Sequence, residues 1–188
     1  GKNVVLVANG SEGEPLSFKD AAILHNAPHL IIDGLLIAAA ALKAKKLVIY
    51  ADAANLAPVA LALRQRSDAA AIELLESPES FVAGQASAVV NFMQNGVALP
   101  QDPRTRLATS GFKNRPTVIN NVETWAHIAM IAWFGAGWVR EAGTAADPGT
   151  RLISLSGDLG ERQVLEVPGG PALTDVLAAA GVNYDAVT

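Results

Sequence analysis

Apolar residues along the chain fall into short β-branched runs separated by longer stretches of helical spacing. Val4-Val5-Leu6-Val7-Ala8 stops at Asn9-Gly10, the pattern of a buried strand entering a loop. After a polar stretch, Pro28 opens a helix to about Ala44, proline being favoured in a first helical turn. Lys43, Lys45 and Lys46 close it, where cations complement the helix C-terminus. Leu47-Val48-Ile49-Tyr50 predicts a second buried strand, and Asp52 an N-cap for a helix through about Arg66 with Leu56, Val59, Ala60 and Leu63 on one face. Ala71 to Leu75 predicts a third strand, ended by Ser77-Pro78. Small and apolar residues from Gly84 to Met93 predict another helix, closed by Asn95-Gly96.

Alternating strands and helices over residues 1–100 predict an α/β fold: a mostly parallel, Rossmann-like sheet with flanking helices. Residues 101–116 read as a basic loop (Arg104, Arg106, Lys113, Arg115). From Asn121 to about Val139 the chain reads as an apolar helix, or a pair broken at Gly135-Ala136-Gly137. This stretch carries Trp125, Trp133 and Trp138, of which two are expected in the core and one at a contact. The pattern then changes. A linker of small residues, 143–149, leads to strands Arg151–Leu155 and Gln163–Val167 joined by a turn around Gly157 to Gly160, and to a helix from Pro171 with Leu173, Val176 and Leu177 inward. Such a hairpin and helix open a partial β-grasp (α+β) module. The expected boundaries are 1–145 for the α/β domain and 146–188 for the module.

Composition narrows the classes. The chain has 188 residues, 51% hydrophobic and 17% charged, so it can bury a core without staples. It has no cysteine, which excludes thiolate chemistry, disulfides and cysteine-held clusters within these residues. A net charge of −4 disfavours a nucleic-acid partner. The apolar stretch Leu30 to Leu42 is interrupted by Asp33 and Gly34 and falls short of the ~20 residues that cross a bilayer, so no direct membrane insertion is expected. Nothing at the start reads as a signal peptide, and both ends read as cut from a longer protein.

Common signatures are missing: no Gly-x-Gly-x-x-Gly, no Gly-Lys-Ser/Thr phosphate loop, no Gly-x-Ser-x-Gly elbow. His25 and His29 are separated by Pro28, which favours surface or capping roles over a shared metal, and His127 on its apolar helix reads as a core or interface histidine. The informative stretch is Asn9-Gly10-Ser11-Glu12-Gly13-Glu14-Pro15, directly after the first strand, at the edge where open α/β sheets bind ligands. Two glycines allow close backbone approach, the Asn amide both donates and accepts, and Glu12 and Glu14 can accept from ring N–H groups or ribose hydroxyls. The same residues would also make an ordinary solvated acidic loop.

Asn9 to Asp20, NGSEGEPLSFKD, resembles the flavin loop of the NADH-binding flavoprotein subunit of respiratory complex I and its hydrogenase and formate dehydrogenase relatives. That family's pattern there is Asn-x-Asp-Glu-x-Glu-Pro-Gly-Thr-x-Lys-Asp. Three more blocks match in order: Pro28-His29-Leu30 through Asp33-Gly34, Phe81 to Ala88, and Asn120-Asn121-Val122-Glu123-Thr124. The tail from Gly149 to Ala180 resembles the start of the family's soluble-ligand-binding β-grasp domain. The resemblance implies that Asn9, Ser11, Glu12 and Glu14, with Gly84 and Gln85 and, across the site, Asn120, Asn121 and Thr124, hold FMN beside a bound NAD(P)H. It also implies no covalent catalytic residue, since the flavin itself takes the hydride.

The departures are specific. The family's Asp is Ser11 here, its Gly-Thr is Leu16-Ser17, and its paired glutamates are Gln85 and Ala86. The resemblance implies an FMN-dependent NAD(P)H:acceptor oxidoreductase module that passes electrons to an iron–sulfur or quinone-linked partner. Its electron exit, an iron–sulfur cluster, would lie in another domain or subunit, and other electron-transfer subunits are the expected partners. The expected location is cytoplasmic, peripheral to a membrane complex. The lost carboxylates support an alternative, a catalytically decayed homologue serving as an assembly scaffold.

Overall fold

The structure is a computed structural model that describes residues 3–102, 105–157 and 161–182. Four strands, β1 (Val5–Asn9), β2 (Lys46–Ala51), β3 (Ile72–Glu76) and β4 (Thr117–Asn121), form one all-parallel sheet in the order β3-β2-β1-β4. The first two are covered on both faces, which is why they read as unbroken apolar runs rather than alternating ones. Leu6, Ala8, Leu47, Ile49 and Ala51 point into one core layer, and Val5, Val7, Val48 and Tyr50 into the other.

The first layer is closed by α1 (Lys19–Asn26), α2 (Pro28–Leu42), α3 (Ala53–Arg64) and the first half of α5 (Val122–Val139). The second is closed by α4 (Ala86–Asn95) and Phe112. Local signals set the helix ends. Pro28 sits in the first turn of α2, and Lys43 in the left-handed conformation ends it. The Asp52 carboxylate caps α3 at the Asn55 amide, and left-handed Gly96 stops α4. Trp125 is 1% exposed, and its indole N–H donates to the carbonyls of Val7 and Asn120, both at 3.1 Å, so α5 is pinned to β1 and β4 together.

Two elements were not foreseen. The polar stretch before Pro28 contains α1, which meets α2 at an 89° bend. Its start is held by Glu12 rather than by a capping side chain of its own, so no N-cap residue announces it. The second is β4. It is an edge strand with only Val118 and Ile119 apolar, too short to give a period. The expected break in the Trp-bearing helix lies at Gly135, with φ 84 and ψ 161. Only Trp125 is core, however. Trp133 and Trp138 are 54% and 44% exposed, against the expectation of two buried tryptophans.

The tail forms an antiparallel hairpin, β5 (Thr150–Leu155) with β6 (Gln163–Pro168), followed by α6 (Leu173–Ala179). Residues 158–160 of the expected turn lie outside the described residues. The hairpin pairs with no other strand among the described residues, and α6 buries no residue. Leu173 is 66% exposed rather than inward, because the short helix has nothing packed over it there. A β-grasp is therefore not defined by this hairpin and helix. Among the described residues no single helix is long and apolar enough to cross a membrane; α1 and α2 together reach that length and apolarity only as a bent pair.

Candidate functional site

In the order β3-β2-β1-β4 the chain moves outward from β1 on one side and returns to its other side at β4. The crevice beyond the carboxyl ends of β1 and β4 is thus the topological switch point, where open parallel sheets bind ligands. Asn9 and Asn121, the last residues of the two strands, stand opposite each other there. Most residues expected at the site meet at this edge.

Asn9 organises the first wall. Its amide nitrogen donates to the Gly84 carbonyl at 2.7 Å, and its side-chain oxygen accepts from the Ser11 amide at 3.2 Å, folding the chain into an Asx turn. A Cβ on Gly84 would lie 2.5 Å from the Ser11 carbonyl, and one on Gly13 would lie 2.1 Å from that of Phe81. Loops 10–15 and 81–85 therefore touch backbone to backbone, an approach only glycine permits. Tyr50 braces the second loop from below, its hydroxyl donating to the Ala83 carbonyl at 3.2 Å. Burial without a charged partner pushes its phenol up to about 12.

Glu12 turns back onto the chain. One oxygen accepts from the Ser17 hydroxyl and the other from the Ala21 amide at 3.2 Å, holding the start of α1. Gln85 caps α4, its oxygen accepting from Ser87 and Ala88 amides at 2.7 and 3.0 Å. Asn121 caps α5 through the Glu123 amide at 3.0 Å and donates to the Asn9 carbonyl at 3.3 Å. The polar atoms of these residues thus shape the crevice.

Other groups are unengaged. Among the described residues no hydrogen bond takes up the Ser11 hydroxyl, the Glu14 carboxylate, the Asn120 amide, the Gln85 amide nitrogen or the Thr124 hydroxyl. Ser11 and Asn120 are half-buried; Glu14, Gln85 and Thr124 are exposed. Thr124 lies on the first turn of α5, at the same end of the sheet, with no bond to the loops. This donor and acceptor set fits a flat heterocycle with a polar arm. Amides can read a ring edge, hydroxyls and a carboxylate can hold an arm, and the glycine contact fixes the walls.

Lys19, Asp20 and Glu123, which cluster around Asn121, were not singled out from sequence, although they lie within two of the matching blocks. The Lys19 ammonium donates to Asp20 at 2.6 Å, Asn121 at 3.0 Å and Glu123 at 3.1 Å. Asn121 donates in turn to the second Asp20 oxygen at 2.6 Å. Both Asp20 oxygens therefore accept, an arrangement that favours the ionised form. Burial pushes the Asp20 carboxyl above its ordinary 3.8, Lys19 opposing and the Glu12 charge adding. Burial also works against the Lys19 charge, but Asp20 and Glu123 outweigh it and its pKa is raised above 10.5.

A groove of about 370 Å³ lies beside this edge, between α1, α2, α5 and the hairpin. Ile23, Leu30, Met130, Leu152 and Val164 line it, with His127 its one histidine. Size does not make it the site: its walls are mainly apolar, whereas the unengaged polar groups lie on the segments at the carboxyl edge of the sheet. His25 and His29 lie elsewhere, paired with Asn55 and Gln65. No metal-holding cluster occurs among the described residues.

Fold and candidate site together define a parallel α/β protein with polar residues gathered at the switch point of its sheet. Residues 1–130 match the Nuo51 FMN-binding domain, and the chain belongs to that family. It is 30% identical to the NAD-reducing hydrogenase HoxS subunit alpha of Cupriavidus necator, over 95% of this chain and 32% of that one. It is 31% identical to the NADP-reducing hydrogenase subunit HndC of Solidesulfovibrio fructosivorans, over 94% and 39%. With an NADH-quinone oxidoreductase subunit of Escherichia coli the identity is 28%, over 92% and 42%. A crystal structure of NAD+-reducing [NiFe]-hydrogenase in the H2-reduced state superposes with a TM-score of 0.87 at 33% identity, covering 95% of this chain and 33% of that chain. The chain thus spans less than half the length of these relatives, each of which is named as a hydrogenase or an oxidoreductase or as a subunit of one.

Proposed function

We propose that this chain is the FMN-holding module of an NAD(P)H:acceptor oxidoreductase, working with other electron-transfer subunits or domains. The observation that carries the reading is the set of unengaged polar groups on the segments at the carboxyl edge of the sheet, in a chain that belongs to the Nuo51 FMN-binding domain family. In this reading Asn120 and the Gln85 amide nitrogen face the flavin ring edge, Ser11 and Thr124 the phosphate–ribityl arm, and Glu14 the nicotinamide side. Asn9, Gly84, Glu12 and Asn121 keep the walls in place. When bound, the flavin supplies hydride acceptance from a reduced nicotinamide and stepwise release of electrons. The protein's own part is to orient two flat rings and exclude water between them.

With no cysteine in its 188 residues, the chain has no thiolates for an iron–sulfur cluster, so the acceptor cluster or quinone-linked partner belongs to another domain or subunit. A cytoplasmic location, peripheral to any membrane complex, goes with this proposal, because the pyridine nucleotide is an intracellular electron donor. One observation favours a second reading. The family's paired glutamates are Gln85 and Ala86 here, and Gln85 is occupied with capping α4, as expected of a decayed site kept for assembly. Anaerobic addition of NADH to the FMN-loaded protein separates the two. Bleaching of the flavin absorbance supports the oxidoreductase, whereas bound flavin that ignores NADH and NADPH favours the scaffold.

A further inference from the structure

Three contacts run from the hairpin to the candidate site, each through a different group. The Ser154 hydroxyl oxygen on β5 accepts from the Phe18 amide at 2.9 Å, at the end of the site loop. The Arg162 guanidinium, just before β6, sits 4.5 Å from the centre of the Phe18 ring. The Leu152 amide donates to one Glu123 oxygen at 2.6 Å, while the other Glu123 oxygen accepts from Lys19. From Lys19 the bonds continue through Asn121 to Asn9, and from Asn9 to Ser11 and Gly84. An unbroken path therefore joins β5 to both walls of the crevice.

The loop needs such support. Glu14, Pro15 and Leu16 are exposed, and the Phe18 that begins α1 offers no capping side chain. Between Asn9 and Lys19 the loop's own anchors are the Asx turn at Asn9, the Ser17 amide on the Glu14 carbonyl and the Glu12 bonds. Other elements hold the loop at Gly10, whose amide donates to the Tyr50 carbonyl at 2.8 Å, and at the contact with loop 81–85; at Phe18 the hairpin takes hold.

We propose that the β5–β6 hairpin is a clamp that fixes loop 10–18, with Ser154, Arg162 and Glu123 as positioning residues for the crevice. The consequence for ligand affinity rests on the flavin reading above; the mechanical coupling does not. Moving the hairpin, by a partner seated on it for instance, would then alter flavin and nicotinamide binding without touching either.

Amide hydrogen exchange of the cofactor-free protein, read beside FMN titration by fluorescence quenching, tests this in wild type, Ser154→Ala, Arg162→Ala and the double variant. Ser154→Thr, which keeps the hydroxyl, serves as the rescue. Losing one hydrogen bond of this kind should speed exchange across 10–18 by about fivefold. The double variant should do more, β1 and β2 should stay protected, and FMN affinity should fall by a similar factor. Arg162 is exposed, so its variant folds even if the serine variant does not. Unchanged exchange in 10–18 overturns the clamp, as does an unrescued Ser154→Thr. Faster exchange with FMN affinity unchanged overturns the coupling to the site. If the wild type takes up no FMN, the flavin reading fails, and exchange alone still decides the clamp.

Discussion

Lys19 answers for three acceptors on three elements, α1, β4 and α5, so its removal has consequences beyond one ion pair. Lys19→Met leaves Asp20 and Glu123 facing each other with only Asn121 between them. It should cost about 2 kcal/mol, below the cost at a fully buried pair because the lysine side chain keeps 28% exposure. Urea unfolding measures that loss. The pH dependence has a definite sign. A raised lysine pKa contributes stability that is whole below 10.5 and disappears as pH climbs through the higher folded value. Tyr50 acts in the same direction, its contribution present below 10.0 and lost through about 12. Wild-type stability should therefore fall from about pH 10 upward on both counts, and less steeply in Lys19→Met. An equally steep fall in the variant would contradict the assignment of that loss to Lys19. Gly84 makes a second test at this scale. Gly84→Ala sets a methyl 2.5 Å from the Ser11 carbonyl and must part the two loops. Overpacking of this kind should cost about 1–3 kcal/mol in thermal unfolding. FMN affinity should fall at least tenfold if the loops are the site walls.

At the scale of elements, α5 is two structures in one. Its first half is core, tied by Trp125 to β1 and β4; around and beyond Gly135 its aromatic residues Trp133, Phe134 and Trp138 stack on one another in the open. Trp125→Ala should destabilise by about 3–5 kcal/mol, and because the indole also holds the Asn120 carbonyl it should loosen the end of β4. Trp138→Ala should change stability by less than about 0.5 kcal/mol. Comparable losses in the two variants would contradict this division of the helix. The same helix shows what sequence could tell. Gly135 marked the break, since a glycine between apolar helical turns is visible as such. The burial of each tryptophan was not visible, because an apolar helix without a polar face has no period to say which side is inward. The edge strand β4 was hidden for a related reason: Thr117-Val118-Ile119-Asn120-Asn121 offers two apolar residues and then the N-cap of α5, so the strand reads as the approach to a helix.

For the whole molecule, the parallel sheet was legible because β1 and β2 are buried on both faces and carry the β-branched runs that such burial demands. The position of the candidate site rests on the loop after β1, since the carboxyl edge of a parallel sheet is set by chain direction alone. Which side chains face a ligand did not follow. Asn9, Glu12 and Asn121 have the chemistry to bind a heterocycle, and the structure gives them partners from distant residues, Gly84, Ala21 and Asp20, that spacing does not reveal. The hairpin's hold on Phe18 was invisible for the same reason, as a backbone amide leaves no mark in a sequence. The central claim is that the crevice between β1 and β4 holds a flavin. It is tested most directly by titrating FMN into wild type and Asn120→Ala and following fluorescence quenching. The account predicts saturable binding of one FMN per chain, weakened about tenfold or more by a lost amide pair at the ring edge. Binding that is absent, or equal in the two proteins, would contradict it.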